Sequence, residues 1–273
     1  MKKILSIVLF SIGFIVLLLL LFTRFWVSDI RPDYVRKQID EVKGRELLQE
    51  TAVAMGAVYW PEILNYEVDF EDEFFGQVGK ASSPFEQNPA SFTLRYQRKG
   101  SDANLIFPDS SKWGIFRDKT FSKAGPDAKV QRGHDGDIAF WLPTYKYFIQ
   151  FPYLIREATA VSYAGSAEED GQNYELVYAT WDQYKPQRHL DQYVIWIHPE
   201  TKHIFKIQYT VREQFPFLTG TAYFKDYQTF GKFTIPTRMP VGSNIIGVKG
   251  LLHEMRIRDI RFNNFNPGKL VPI

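Results

Sequence analysis

The stretch "YEVDFEDEF", Tyr66 to Phe74, alternates apolar and polar positions from its first residue. Successive side chains of a β-strand point to opposite faces, a period of two. Tyr66, Val68 and Phe70 therefore share one face, and Glu67, Asp69 and Glu71 share the other. That pattern suits a strand with one buried and one wet side, and it gives no single apolar stripe on a helix. The same texture recurs in "SFTLRYQRK", "KWGIFRD", "IAFWL", "YELVYATW", "TAYFKDYQTF", "FTIPTRMPV" and "HEMRIRDIRF". Turn signals such as Asp135-Gly136 and Phe230-Gly231-Lys232 separate many of them. The chain beyond Leu64 is expected to be mainly β, with two or three helices in all. The acidic side of the first strand is read as a solvated face rather than a cation site.

Two segments break the alternation. From Pro32 to Met55 the pattern is helical: Pro32 suits a first turn, and Asp33 favours the positive end of the helix dipole. Leu47, Leu48, Thr51, Ala52 and Met55 recur at helical spacing, Gly56 supplies a stop, and Gly44 is where the helix could divide. The second segment is "PTYKYFIQFPYLIREA", Pro143 to Ala158. Its proline suits a helix start, and Pro152 must kink or end the helix. Tyr145, Tyr147, Phe148, Ile149 and Phe151 occupy almost every direction around it, so it is either buried on most sides or lines a cavity. "GSNIIGVKGLLHE" is read as a loop between two terminal strands.

At the other end, Ile4 to Phe22 is an uncharged apolar run of 19 residues. As a helix it would span about 28 Å at ~1.5 Å per residue, close to the ~30 Å hydrocarbon core of a bilayer. It exits into Thr23-Arg24-Phe25-Trp26, bulky residues where a cleaved signal peptide needs small ones. An uncleaved anchor is expected, with Phe25 and Trp26 at the interface. Residues 1–30 then form the anchor and juxtamembrane segment, and residues 31–273 the body. Lys2 and Lys3 on one side, against Arg24, Arg31, Arg36 and Lys37 on the other, leave orientation open.

"QYVIWIHPETKHIFKIQY" holds two of the five histidines, and it reads as a hairpin. With Pro199 to Lys202 as its loop, His198 falls opposite His203, Trp196 opposite Phe205, and Val194 opposite Ile207. His203, Phe205, Ile207 and Tyr209 would share an apolar face. Zinc would need further ligands, for which His189, His253, Asp135 and Asp137 are the candidates, but no spacing brings them together. His134, Asp135 and Asp137 also cluster, though Asp-Gly between two strands signals a tight turn. No serine has a nucleophile's setting, and there is no phosphate-cradling glycine loop. The chain has no cysteine, which removes thiolate metal sites, disulfides and a lipid-modified N-terminal cysteine. Its net charge is +2, and Lys2 and Lys3 account for both charges, so nothing favours non-specific nucleic-acid binding. No catalytic residue, metal or cofactor is assigned.

Four pieces in order resemble the LolA-like superfamily of lipoprotein carriers and lipid-carrying lipoproteins, over roughly Arg45 to Asn264. They are "ELLQETAVAMGAVYW", "GHDGDIAFW" with Trp141, the hairpin "VIWIHPETKHIFKIQY", and "FKDYQTFGKFTIPTRM" with Asp226-Tyr227, Gly231 and Ile235-Pro236-Thr237. The resemblance implies a strongly curved antiparallel half-barrel with a helical lid over an apolar cavity for acyl chains. On that reading Trp141, Phe148, Trp196 and Phe205 line the cavity, and Tyr145, Ile149 and Phe151 belong to the lid. It also implies a lipid or acylated protein as partner and a body outside the cytoplasm; the apolar run, residues 4–22, is a departure from the family and adds a tether to the inner membrane, where partner proteins of the envelope are a further expectation. An alternative is an assembly subunit whose barrel is filled by its own aromatics, which make up 16% of the chain.

Overall fold

The computed structural model describes residues 10, 11, 13–15, 17, 18, 26–243 and 250–272. The described residues of the apolar run are helical, and most of that run lies outside the described residues. Among the described residues no helix is long and apolar enough to cross a membrane. Part of the "GSNIIGVKGLLHE" stretch, residues 244–249, is likewise outside them.

Among the described residues of the body there are four α-helices, one more than the two or three expected: α1 (Asp33–Lys37), α2 (Glu41–Ala54), α3 (Gly76–Ser82) and α4 (Gly136–Leu154). The first strands are β1 (Asn65–Phe74), β2 (Ala90–Gln97), β3 (Ala103–Ile106), β4 (Lys112–Phe116), β5 (Lys119–Lys123) and β6 (Gln131–Gly133). After α4 come β7 (Ala160–Glu169), β8 (Gln172–Thr180), β9 (Tyr193–Ile197), β10 (Ile204–Thr210) and β11 (Thr219–Tyr223). The chain ends with β12 (Lys225–Phe230), β13 (Phe233–Ser243) and β14 (Leu251–Phe262). "TAYFKDYQTF" is thus two strands, β11 and β12, broken at Phe224.

All 14 strands join one antiparallel sheet in the order β6-β5-β4-β3-β2-β1-β14-β13-β11-β10-β9-β8-β7, with β12 paired to β13 alone. The sheet is curved and does not close, because β6 and β7 remain its two edges. The N-terminal segment wraps the β7 edge. Val35 of α1 packs on Tyr178 and Val194 on the convex side, while Leu47, Leu48 and Ala52 of α2 join the main core inside. Between them, Tyr163 N donates to Asp40 O (2.8 Å) and Asp40 N donates to Ser162 Oγ (3.0 Å). An edge strand covered in this way is withdrawn from pairing with other chains.

The helix expected from Pro32 to Met55 divides at Gln38–Asp40, not at Gly44. Gly44 lies inside α2 at its closest approach to β7, where an added Cβ would stand 2.6 Å from the backbone of Ser162 and Tyr163. Alanine would improve helix propensity by about 1 kcal/mol. Forced against rigid backbone, however, Gly44→Ala is expected to destabilise the fold by about 1–3 kcal/mol net. Urea unfolding followed by circular dichroism checks the sign, and a stabilised variant would mean that α2 can back away freely.

The convex face of β1 is paired, where the sequence suggested a solvated face. Glu67, Asp69, Glu71 and Glu73 meet Arg95, Arg256, Arg258 and Arg261, with Arg256 to Glu71 at 2.9 Å and Arg261 to Asp69 at 2.9 Å. The cause is register: β14 and β2 flank β1 and carry arginines at the matching positions. Arg261 holds the Asp69 carboxyl below its ordinary value against the opposing effect of burial.

Candidate functional site: an apolar cavity beside helix α4

Helix α4 begins seven residues earlier than its first proline suggests. Asp135 is its N-cap, its carboxylate accepting from the N–H groups of Asp137 and Ile138. "IAFWL" is therefore helical rather than a strand, and Asp135-Gly136 starts a helix rather than a hairpin. Pro143 and Pro152 both lie within the helix. One turn is tied by Thr144 Oγ1 donating to Phe140 O at 2.7 Å. A helix interrupted twice by proline is stable here because it is enclosed. Ile138, Trp141, Leu142, Tyr145, Phe148, Ile149, Phe151 and Pro152 are all buried against the concave face and neighbouring helices. Polar pins fix its depth. Tyr96 Oη donates to Leu142 O (2.9 Å), and Gln150 Nε2 donates to Tyr66 Oη (2.9 Å).

Beside Tyr145 on the β1–β2 side, rings fill the interior. Tyr145 packs on Phe70 (4.9 Å between ring centres) and Phe92 (5.6 Å), and those two stack on each other at 5.4 Å. On the β9–β10 side a cavity of about 420 Å³ remains, walled by Trp141, Tyr147, Phe148, Trp181, Tyr193 and Tyr209. That volume is at the lower end of the range typical of small-molecule sites. Its rim is polar, with exposed His189 and Glu213 and half-buried Asp191. Burial pushes the Asp191 carboxyl above its ordinary value, although it accepts from Thr210 Oγ1 and Arg212 N, each at 2.8 Å.

Two buried polar residues line the floor, His253 at 9% exposed and Thr210 at 1%, and the Thr210 hydroxyl is already paired with Gln192 N and Asp191. His253 Nδ1 lies 2.9 Å from Oδ1 of Asp72, which has no exposure at all, and Tyr145 Oη donates to Oδ2 of the same carboxylate at 2.8 Å. Burial and the adjacent Asp72 push the Tyr145 hydroxyl well above its ordinary value. Phe74 stacks on the imidazole (5.1 Å), and Trp141 meets it edge-on (5.5 Å).

The expected cavity residues separate into three groups. Trp141 and Phe148 line the cavity. Tyr145, Ile149 and Phe151 are buried in the core behind it, Phe151 against Tyr147 (5.6 Å) and Tyr193 (5.6 Å). Trp196 and Phe205 lie on the convex face. Trp196 Nε1 donates to Gln208 Oε1 at 3.1 Å with Lys206 Nζ 3.9 Å over its ring, and Phe205 stacks on Tyr174 at 4.3 Å. The cause is a bulge between Ile204 and Lys206, which pairs Trp196 with Lys206 instead of Phe205. One extra residue reverses the facing of everything before it. Ile195, Ile197, Ile204 and Ile207 fill the inner face instead.

The two hairpin histidines do structural work. His198 N donates to His203 O (2.9 Å), and His198 Nδ1 accepts from the N–H groups of Glu200 and Thr201 at 3.3 Å, closing the turn. The His203 ring packs on Tyr227 at 4.6 Å, and burial lowers its proton affinity. Among the described residues, no three histidine or carboxylate side chains form a group that could hold a metal ion.

No family model matches the chain, and no curated protein matches it. Solved structures do. A domain of an outer membrane lipoprotein-sorting protein from Vibrio parahaemolyticus superposes with a TM-score of 0.54 at 15% identity, covering 85% of this chain and 97% of that one. A DUF1329 family protein from Desulfovibrio piger gives 0.52 at 14% identity, covering 85% and 98%. A LolA superfamily protein from Nitrosomonas europaea gives 0.52 at 9% identity, covering 84% and 97%. With one open, curved antiparallel sheet closed over an internal helix, the chain has the LolA-like fold.

Proposed function

We propose that this chain is a non-enzymatic, membrane-tethered binding module for an apolar ligand, a lipid or the acyl chains of a lipoprotein, working outside the cytoplasm. The observation that carries the reading is the cavity left between α4 and strands β9 and β10, whose walls are largely aromatic. Each methylene buried there contributes about 0.8 kcal/mol. The aromatic walls grip alkyl chains without demanding fixed polar partners. The place where the apolar run joins the body also supports a tether. Trp26 stacks on Phe217 (6.1 Å), and Arg212 Nη1 donates to Ser28 Oγ (2.8 Å). The intervening loop carries Val211 and Glu213, both on the cavity wall. A chain anchored through residues 4–22 would thus hold the cavity mouth near its membrane.

The test is site-specific photocrosslinking of the full chain in living cells. Benzoylphenylalanine at Phe148 is expected to capture lipid or lipoprotein, read as a mass increment on the purified chain. The same probe at Trp196, on the convex face, is expected to capture neither. Adducts only to non-lipidated protein at both positions would replace the binding reading with an assembly role.

A further inference from the structure

Among the described residues, the Asp72 carboxylate has two side-chain partners, the Tyr145 hydroxyl and the His253 ring. Both contacts are satisfied when the carboxylate accepts from Tyr145 Oη–H and from Nδ1–H of His253. The ring is then fixed in orientation by that bond and by its stacking on Phe74. Its other nitrogen, Nε2, has no protein partner among the described residues and belongs to a residue nine-tenths buried on the cavity floor. Nε2 is open to the cavity rather than sealed off, so a ligand that covers it without a hydrogen bond strips it of water and is disfavoured against one that satisfies it.

We propose that His253 Nε2 receives the carboxyl group of a long-chain carboxylic acid, whose alkyl chain fills the cavity. This rests on the binding reading above and narrows its ligand class. A carboxyl group matches the nitrogen wherever the shared proton lies: as the acid it donates to bare Nε2, and as the carboxylate it accepts from Nε2–H. An ester offers only an acceptor. A phosphate brings several oxygens that one nitrogen cannot satisfy. The floor sets the direction, since the Asp72 carboxylate there is already paired with Tyr145 and His253 and leaves Nε2 to meet the head, while exposed Glu213 at the rim repels an anionic one. The head therefore lies at the floor and the alkyl end toward the mouth.

Equilibrium dialysis of the full chain tests this, in a bile-salt detergent whose rigid steroid does not imitate an acyl chain. The probes are radiolabelled palmitic acid and methyl palmitate, identical in chain length. The wild-type chain is expected to bind the acid at least about tenfold more tightly than the ester, the worth of one buried hydrogen bond. His253→Phe, which keeps a ring against Phe74, is expected to bring that ratio near one through lost affinity for the acid. Circular dichroism checks its folding. Should it not fold, His253→Gln, which still offers Asp72 a donor, takes its place with the same expectation. Equal binding of acid and ester by the wild type, or a ratio unchanged in the folded variant, overturns the assignment of His253 and leaves the cavity reading intact. Binding of neither probe removes the cavity reading itself.

Discussion

Trp60→Ala is expected to lower the stability of the body by about 3–5 kcal/mol, the range for removing a fully buried tryptophan. Trp60 sits in a 3₁₀ turn, Ala57–Glu62, that follows α2 and leads into β1. Only 2% of it is exposed, and its ring meets Tyr66 (5.1 Å), Phe233 (5.1 Å) and Phe262 (5.6 Å). Those three rings belong to β1, β13 and β14, so one side chain ties α2 to the centre of the sheet. The turn is held from below as well: Gly56 has a φ of 69°, and a Cβ there would stand 1.9 Å from Lys232 O. The surrounding backbone cannot collapse into the space that the indole leaves. Since whole domains are stable by only about 5–15 kcal/mol, much of the margin would disappear. In urea the midpoint should fall by at least about 1 M, taking a slope of ~3 kcal/mol/M. Trp26→Ala serves as the control, because that ring is 44% exposed, and an effect below about 1 kcal/mol is expected. Equal losses from the two variants would mean that the 3₁₀ turn is not docked as described.

The parts of this fold legible in the sequence are those that obey one period over several residues. Tyr66, Val68 and Phe70 alternate cleanly and do face the core. Leu47, Leu48 and Ala52 do pack inward from a helix. The readings that failed are those in which one residue resets the period. The bulge at Phe205 moves Phe205 itself to the convex side, and no local signal marks it. Trp196 takes its expected facing from that partner, so the same bulge turns it to the convex side. At α4 the error has a different source. Proline favours a first helical turn on local grounds, so Pro143 reads as a start. An enclosed helix tolerates an interior proline because its neighbours supply the lost interactions, which are tertiary. Asp72 and His253 are instructive because the signal was present. Continuing the alternation of β1 places Asp72 on the apolar face between Phe70 and Phe74. The alternation of β14 places His253 in line with Met255 and Ile257. An acid on the apolar face of one strand and a histidine on that of another could have been noticed; that the two strands are neighbours could not.

The interior is neither the empty half-barrel nor the filled one, and the division falls along α4. Toward β1 and β2 the bulky rings of Phe70, Phe92 and Tyr145 occupy the space, whereas toward β9 and β10 the strands present Ile195, Ile197 and Ile207. Branched aliphatic side chains reach less far into the barrel than rings do. On that side Tyr193 and Tyr209 reach Tyr147 and Phe148 of α4 without filling the gap, and the cavity remains.

That division makes the mouth the place to block. Val211 lines the cavity at the start of the loop after β10 and is half-buried, and its backbone is held by Val211 N donating to Leu218 O at 3.0 Å. Val211→Trp is expected to leave the fold in place, since the hydrogen bond does not involve the side chain and the ring has the cavity to enter. Inside, the indole would displace about four methylenes of a bound chain. At ~0.8 kcal/mol each this is about 3 kcal/mol, a loss of affinity on the order of a hundredfold. Acid and ester probes should suffer alike, because the block removes chain burial and leaves the His253 floor untouched. Val211→Ala widens the mouth and should cost little. The comparison is by dialysis of both variants with palmitic acid, and unaltered binding in Val211→Trp would show that the chain enters by another path or does not occupy this cavity. Loss for the tryptophan with retention for the alanine would place the alkyl chain between α4 and β10.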